Sequence, residues 1–280
     1  MISHSPNRVV VLSMGEMKTM KNRAGYPTVE HEQAADFIVK YFSSFSEVEA
    51  IILVGSCARG KASIDSCLDI TILVPPEQLS KMEITLEKRW TEFYEKESIF
   101  RKLLKTGRYS HVDLNFTDGC FSPKPRDWTS GPDEFELEIG NTFVYSAPLW
   151  ERGDYFRCLK SKWVPYYDEA LRRERLNMVH KYCFNNLDHI SLYVDRGLYF
   201  QAFDRLYNAF KEFLQALFIS RRTYPIAYDK WIREQVEEIL RMPELYRQLP
   251  RLLEIEHFES KEIAKKAKNL RRLYEEYVIE

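Results

Sequence analysis

Two segments of the chain carry residue types that could hold a triphosphate and a hard metal ion. In the first, the apolar run 50–54 ends at Gly55 and Ser56, and Asp69 opens the next apolar run. Glycine lets a backbone approach a phosphate closely, and the amides after it, with a serine hydroxyl, can donate to phosphate oxygens. A carboxylate at a strand edge can carry Mg²⁺ between the protein and the phosphates. The second segment places Asp113 between two apolar residues.

The spacing of these residues resembles the signature of the nucleotidyltransferase superfamily, which has a polymerase-beta-like fold. The signature is an apolar residue followed by Gly-Ser, a short loop, and then Ser-Asp-apolar-Asp-apolar; the chain matches it at 54–60 and 66–70. The resemblance implies that Asp69 and Asp113 are catalytic and hold the metal, Mg²⁺ or Mn²⁺. It also implies that Gly55, Ser56 and Arg59 bind the nucleotide, which we expect to be ATP acting as a substrate.

Cys67 stands where the resemblance places the first catalytic carboxylate. Residues i and i+2 of a strand point the same way, so side chains 67 and 69 would converge on one metal. A thiol is a soft ligand with a pKa near 8.5, whereas Mg²⁺ prefers hard oxygen. Asp65 has the same parity but lies about 6.6 Å further along an extended strand. We therefore expect either weak transfer with a rearranged metal, or a nucleotide pocket without transfer. Cys67 itself could be an inert buried thiol or a ligand for a softer metal.

Composition narrows the class of protein. The chain of 280 residues has 41 Lys and Arg against 42 Asp and Glu, a net charge of -1, so no nucleic-acid partner is expected from overall charge. Its five cysteines form no Cys-x-x-Cys pair, which fits a reducing compartment. No apolar run approaches the roughly 18 residues of a membrane span, and the N-terminus lacks a signal pattern. These features predict a cytoplasmic protein that does not enter a membrane.

Hydrophobic periodicity predicts two domains. It predicts an α/β (α+β) domain with a short mixed sheet at residues 1–150 and an antiparallel helical bundle at residues 151–280. The resemblance implies that the first is a nucleotidyltransferase domain and the second a substrate or lid domain. The predicted strands are 50–54, 68–74 and 111–116, with 143–145 as a last strand, while 9–12 could be a strand or a tail. A helix of about twenty residues begins at Pro75-Pro76, since proline suits a first helical turn.

The layout is also similar to that of aminoglycoside and lincosamide nucleotidyltransferases, which modify antibiotics. That resemblance implies a Lys from the helical domain that reaches the triphosphate, and Lys230 is the candidate. The acceptor would be a small hydroxylated molecule or a protein. The acidic stretch 133–140 could line the acceptor cleft, although an acidic surface is the commoner explanation. The alternative function is a catalytically impaired module that binds nucleotide or a partner, of the toxin–antitoxin type. The oligomeric state is left open.

Overall fold

The computed structural model describes residues 25–127 and 130–279. These residues divide into two compact units, one of residues 25–118 with 146–153, the other of residues 119–145 with 154–279. The units are not contiguous in sequence, whereas the sequence predicted one boundary after residue 150. The chain returns to the first unit at 146–153 because this segment supplies an edge strand of its sheet. The possible strand at 9–12 lies outside the described residues.

The first unit is built on a four-stranded mixed sheet, as the sequence predicted. Its strands are β1 (Ala50–Leu53), β2 (Leu68–Leu73), β3 (Val112–Thr117) and β4 (Ala147–Glu151). Their order is β3-β2-β1-β4, with β2 and β3 parallel and the other pairs antiparallel. Every residue of β1 is buried, which explains why its sequence is a continuous apolar run rather than an alternating one.

Among the residues that the structure describes, the first unit also contains four helices. They are α1 (Val29–Phe42), α2 (Gly55–Ala58), α3 (Pro76–Lys96) and α4 (Ser98–Leu103). Pro76 occupies the first turn of α3, where its missing amide costs no hydrogen bond. The buried stripe of α1, including Ile38 and Phe42, joins the apolar residues of β1 and β2 in one core. Gly55 and Ser56 thus begin a short helix where the sequence predicted a turn into a polar loop.

The second unit is helical, as predicted. Its α-helices are α5 (Phe135–Ile139), α6 (Tyr155–Trp163), α7 (Glu169–Asp195), α8 (Tyr199–Ser220), α9 (Pro243–Gln248) and α10 (Glu262–Tyr277). Wider π-type turns occupy Gly140–Val144 and Glu234–Ile239, and a short 3₁₀ turn spans Pro250–Leu252. The apolar stripes of α7, α8 and α10 form one core, and Gly197 turns the chain between the first two with φ of 71°. None of the described helices is long and apolar enough to cross a membrane.

The predicted strand at 143–145 is wrong. Phe143 lies in the π-type turn and packs on Phe121 and Phe156 of the second unit, while the strand begins later, at Ala147. A short aromatic run has no periodicity that separates a strand from a buried helical turn. The strand itself contains Pro148, which an edge strand tolerates because one side of it needs no amide donor.

The acidic stretch 133–140 is only partly on the surface. Asp133 and Glu136 are buried, and both accept hydrogen bonds from Arg175 of α7. Tyr167 donates a further hydrogen bond of 2.8 Å to Glu136. The interpretation as an acidic surface is therefore wrong for these two residues, because they neutralise a buried guanidinium inside the second unit.

Candidate functional site

The sheet brings the two predicted carboxylates together. Asp69 and Asp113 are each the second residue of a strand, and they face each other in the register of the parallel pair β2 and β3. The amide of Val54 donates to the Asp69 carbonyl over 3.0 Å, so the end of β1 lies beside the start of β2. Three separate segments of the sequence thus converge at one edge of the sheet.

Gly55 lies against the Asp69 carboxylate. Its φ is +65°, and a Cβ built on it would stand 1.9 Å from Asp69 Oδ2 and 2.8 Å from Asp69 Cγ. A left-handed φ is strained for residues that carry a Cβ, and here the space for one is also absent. Glycine is therefore required on two independent grounds, and the backbone of the turn passes close to the carboxylate.

Ser56 and Arg59 lie on and just after the short helix α2. Ser56 is half-buried, and its hydroxyl makes no hydrogen bond to any other residue that the structure describes. Arg59 is only 8% exposed, and its Nη1 donates to the Gly55 carbonyl over 2.9 Å. Arg59 therefore stabilises the backbone of the glycine turn through this hydrogen bond. The predicted contact of its guanidinium with nucleotide stays a prediction.

Cys67 completes the cluster. Its Sγ donates to Asp69 Oδ1 over 3.0 Å, and ligand atoms of Cys67, Asp69 and Asp113 all lie within 4.8 Å of one another. Burial raises the pKa of the Cys67 thiol to about 12, with the hydrogen bond and charge of Asp69 and then the charge of Asp113 adding to the effect. The thiol is accordingly neutral near pH 7 and acts as a hydrogen-bond donor to the carboxylate.

His111 is a contact that the sequence interpretation missed. Its Nε2 lies 3.1 Å from Asp113 Oδ1, and its side chain is 41% exposed. Residues 111 and 113 are two apart, so the alternation of a strand puts both side chains on one face. The spacing of two residues was the sequence signal that could have revealed this contact. In the structure, His111 orients the Asp113 carboxylate.

Two of the three candidate ligands, the carboxylates of Asp69 and Asp113, suit a hard divalent cation. Mg²⁺ is commonly held by one or two carboxylates together with waters and substrate phosphates, which Asp69 and Asp113 can supply in part. A protonated thiol supplies neither charge nor hard oxygen. Asp65 is no substitute, because its Oδ1 accepts the Arg108 amide over 2.8 Å and it stands outside the cluster.

Two loops form a rim beside this cluster. The loops 61–67 and 107–111, which precede β2 and β3, are joined by the Asp65–Arg108 bond and by a 2.6 Å bond from Ser110 Oγ to the Ile64 carbonyl. The backbones come so close that a Cβ on Gly107 would stand 2.3 Å from the Ile64 carbonyl oxygen. The rim is thus fixed by hydrogen bonds between short side chains and the backbone and by the close backbone approach at Gly107.

Lys230 belongs to the second unit, where it is exposed and its carbonyl accepts a 3.0 Å hydrogen bond from Gln235. Its predicted role at the triphosphate stays a prediction. The backbone around it is well fixed, since the same Gln235 amide also donates to the Ala227 carbonyl over 2.7 Å.

Comparison with known proteins gives two similarities. Residues 36–117, which lie within the first unit, match the family model of the nucleotidyltransferase domain. Among solved structures, the chain is similar to a nucleotidyltransferase-like protein from Exiguobacterium sibiricum 255-15, with 15% identity, a TM-score of 0.44, and coverage of 88% of this chain and 74% of that chain. The search of curated proteins returned no match.

Proposed function

We propose that the chain binds ATP with a divalent metal and transfers a nucleoside monophosphate to an acceptor hydroxyl, because residues 36–117 match the family model of the nucleotidyltransferase domain. The observation that supports this most is the pairing of Asp69 with Asp113 across β2 and β3, beside a glycine turn that passes within contact distance of Asp69. A carboxylate pair next to a close backbone approach is what a metal-bound triphosphate needs.

The proposed reaction forms one bond and breaks one. The acceptor hydroxyl oxygen attacks the α-phosphorus, the bond from that phosphorus to the bridging oxygen breaks, and pyrophosphate leaves. Asp113, oriented by His111, takes the proton of the hydroxyl. The turn at Gly55 and Ser56 holds the phosphates through backbone amides and the free hydroxyl. Mg²⁺ or Mn²⁺ held by Asp69 and Asp113 would supply positive charge to offset that of the phosphates.

The acceptor that we propose is a small hydroxylated molecule, of the aminoglycoside or lincosamide kind, or a protein. Lys230 would add a positive charge at the triphosphate. Both statements rest on the resemblance of the two-part layout to antibiotic nucleotidyltransferases.

A second candidate function is a nucleotide-binding or partner-binding module that has lost transfer. One observation favours it: the side chain beside Asp69 is the Cys67 thiol, which donates a hydrogen bond to Asp69 Oδ1 and offers no hard, charged oxygen to a metal. The pocket would then keep two carboxylates for metal and lack the charge of a third.

Labelled ATP separates the two candidates. Wild type, Asp69→Asn and Asp113→Asn are incubated with ATP labelled at the α-phosphate, in Mg²⁺ and in Mn²⁺, with a panel of hydroxylated small molecules and protein acceptors. Transfer that disappears in both variants supports the enzyme. ATP binding without transfer to any acceptor supports the impaired module. Absence of ATP binding under every condition would exclude the enzyme and the nucleotide-binding form of the module.

A further inference from the structure

A strongly basic surface lies next to the carboxylate cluster in the first unit. Residues 96–108, from the end of α3 to the rim loop, contain five Lys or Arg and a single Glu. All five cations are exposed: Lys96, Arg101, Lys102, Lys105 and Arg108. Because the whole chain carries a net charge of -1, this concentration is local and is not a property of the overall composition. We call residues 96–109 the basic segment.

The cations of the basic segment have few acidic partners in the described part of the chain, where Glu30 interacts electrostatically with Lys102. Among the residues that the structure describes, none of Lys96, Lys102 and Lys105 forms an ion pair. Arg101 donates to the carbonyls of Glu95 and Lys96 at the end of α3, so its guanidinium is held in place while keeping its charge. Cations at helix ends offset the helix dipole, which explains Arg101 and Lys102 in the last turn of α4. The helix dipole does not explain the positions of Lys105 and Arg108, which lie beyond the end of α4.

The basic segment also contains exposed apolar surface. Tyr109 is 58% exposed, and the Arg108 guanidinium lies 5.4 Å from the centre of its ring. Leu104, 51% exposed, lines an open groove of about 420 Å³ together with Ser98 and three of the cations. An aromatic ring beside a guanidinium is a platform on which a nucleobase can stack, while lysines along a groove can follow a phosphate backbone.

The segment is held next to the candidate site by the rim. Arg108 is anchored through its amide to Asp65, and His111, which follows shortly after Tyr109, contacts Asp113. In the sequence, Arg108 and Tyr109 therefore lie between the groove-lining residues 98–105 and the contact of His111 with Asp113.

We propose that the basic segment binds single-stranded nucleic acid, through phosphate contacts of Lys102, Lys105 and Arg108 and through base stacking on Tyr109. A single strand fits better than a duplex, because only unpaired bases offer a face to an aromatic ring. It also fits better than a lipid surface, since Arg101, Lys102 and Lys105 line an open groove along which a phosphate backbone can run. This surface is distinct from the proposed nucleotide site, and neither proposal requires the other.

The test is fluorescence anisotropy of a labelled single strand of about 12 nucleotides. The variant Lys102→Gln, Lys105→Gln, Arg108→Gln is compared with a control that loses the same charge from α1 and α3, Lys40→Gln, Lys81→Gln, Lys88→Gln. We expect the first variant to bind at least about tenfold more weakly near 50 mM salt, with a salt slope lower by about 2, as three lost phosphate contacts would give. The control should match wild type, and circular dichroism checks that both variants fold.

Tyr109 provides a second, independent measurement. Tyr109→Ala should weaken strand binding about tenfold, whereas Tyr109→Phe keeps the ring and should retain affinity. Absence of strand binding by wild type would overturn the proposal, as would equal losses in both charge variants. Equal affinity for duplex, or binding to acidic peptide or anionic vesicles with no binding to single strands, would also overturn it. ATP binding by titration calorimetry is measured in parallel: strand binding without ATP binding would leave this proposal standing and remove the proposed function.

Discussion

The Cys67 thiol is held in its protonated form by burial and by the carboxylates beside it. It therefore keeps the direction that a metal ligand would have at this position, since its Sγ lies 3.0 Å from Asp69 Oδ1, but contributes no negative charge. We therefore predict that this residue, rather than the arrangement of the strands, limits the affinity of the cluster for Mg²⁺.

Cys67→Asp should tighten Mg²⁺ binding by about tenfold, because it adds a hard, charged oxygen where the geometry already converges. It should also raise nucleotidyl transfer if the acceptor is present. The measurement is calorimetric titration with Mg²⁺ and with Mn²⁺. Cys67→Ser, which removes the thiol without adding charge, is the matched control and should behave like wild type. Weaker Mg²⁺ binding in Cys67→Asp than in Cys67→Ser would show that residue 67 does not face the metal.

Gly55→Ala tests the close approach of the turn to Asp69. The substitution costs about 1–2 kcal/mol for the left-handed backbone, and in addition the new Cβ must displace the Asp69 carboxylate. ATP affinity should fall by about 1–3 kcal/mol, the scale of lost hydrogen bonds to a charged group. Gly197→Ala is the matched control, since its φ is +71° and nothing lies within 4 Å of the added Cβ. That variant should lose stability and keep ATP affinity; a similar loss of affinity in both variants would contradict the local explanation.

At the scale of elements, α7 is joined to α5 and to the residues just before it by a buried guanidinium. Arg175 is 2% exposed, and it pairs with Asp133 and Glu136, two carboxylates that are themselves buried. The pairing raises the pKa of Arg175 above its usual value, since the hydrogen bonds and charges of both carboxylates outweigh the opposing effect of burial. The group contributes to specifying how these two elements meet.

Arg175→Met should destabilise the protein by about 3–5 kcal/mol, because it leaves two buried carboxylates without a counter-charge. Combining it with Asp133→Asn and Glu136→Gln should recover much of the loss. Urea denaturation measures the free energies of unfolding. The neighbouring Arg173 is the control: it contacts Glu169 on the surface, so Arg173→Met should cost less than about 0.5 kcal/mol. If Arg175→Met were as mild as Arg173→Met, the buried network would have no structural role.

Several elements could be predicted from local sequence, whereas their contacts could not. Continuous apolar runs and a Pro-Pro pair predict β1, β2 and α3, because burial on both faces and proline at a first turn leave local patterns. The pairing of Arg175 with Asp133 joins residues far apart in sequence, and no spacing rule reveals it. The prediction of a strand at 143–145 was wrong for a related reason: tertiary packing on Phe121 and Phe156 decides the conformation of this segment.

For the candidate site too, the residues could be predicted from the sequence, whereas their contacts could not. Gly55, Ser56, Asp69 and Asp113 could be chosen from their types and apolar flanks, and the parity of a strand places residue 67 beside Asp69. The register that sets Asp69 opposite Asp113 depends on how β2 and β3 align, which is a non-local property. The hydrogen bond from Arg59 to the Gly55 carbonyl likewise depends on the short helix that replaced the expected loop.

At the scale of the whole molecule, we predict that Lys230 of the second unit contributes to nucleotide binding. Lys230→Ala should weaken triphosphate affinity by about 1–2 kcal/mol, the scale of a lost charge-assisted hydrogen bond. Lys268→Ala, which removes an exposed lysine from α10, is the control and should leave the affinity unchanged. Calorimetric titration with ATP and with AMP makes the comparison sharper, since a lysine that contacts the triphosphate should affect ATP alone. Equal ATP affinities in wild type and both variants would show that Lys230 does not contact the nucleotide.

In the proposed function, a metal-bound nucleoside triphosphate occupies the edge of the sheet where Gly55, Asp69 and Asp113 converge. A crystal soaked with a non-hydrolysable ATP analogue and Mn²⁺ tests it most directly, because Mn²⁺ is located by its anomalous scattering. We predict an anomalous peak within about 2.5 Å of carboxylate oxygens from both Asp69 and Asp113, with the triphosphate against the backbone of Gly55 and Ser56. A fully bound analogue at another surface, or a Mn²⁺ peak that touches neither carboxylate, would contradict the account.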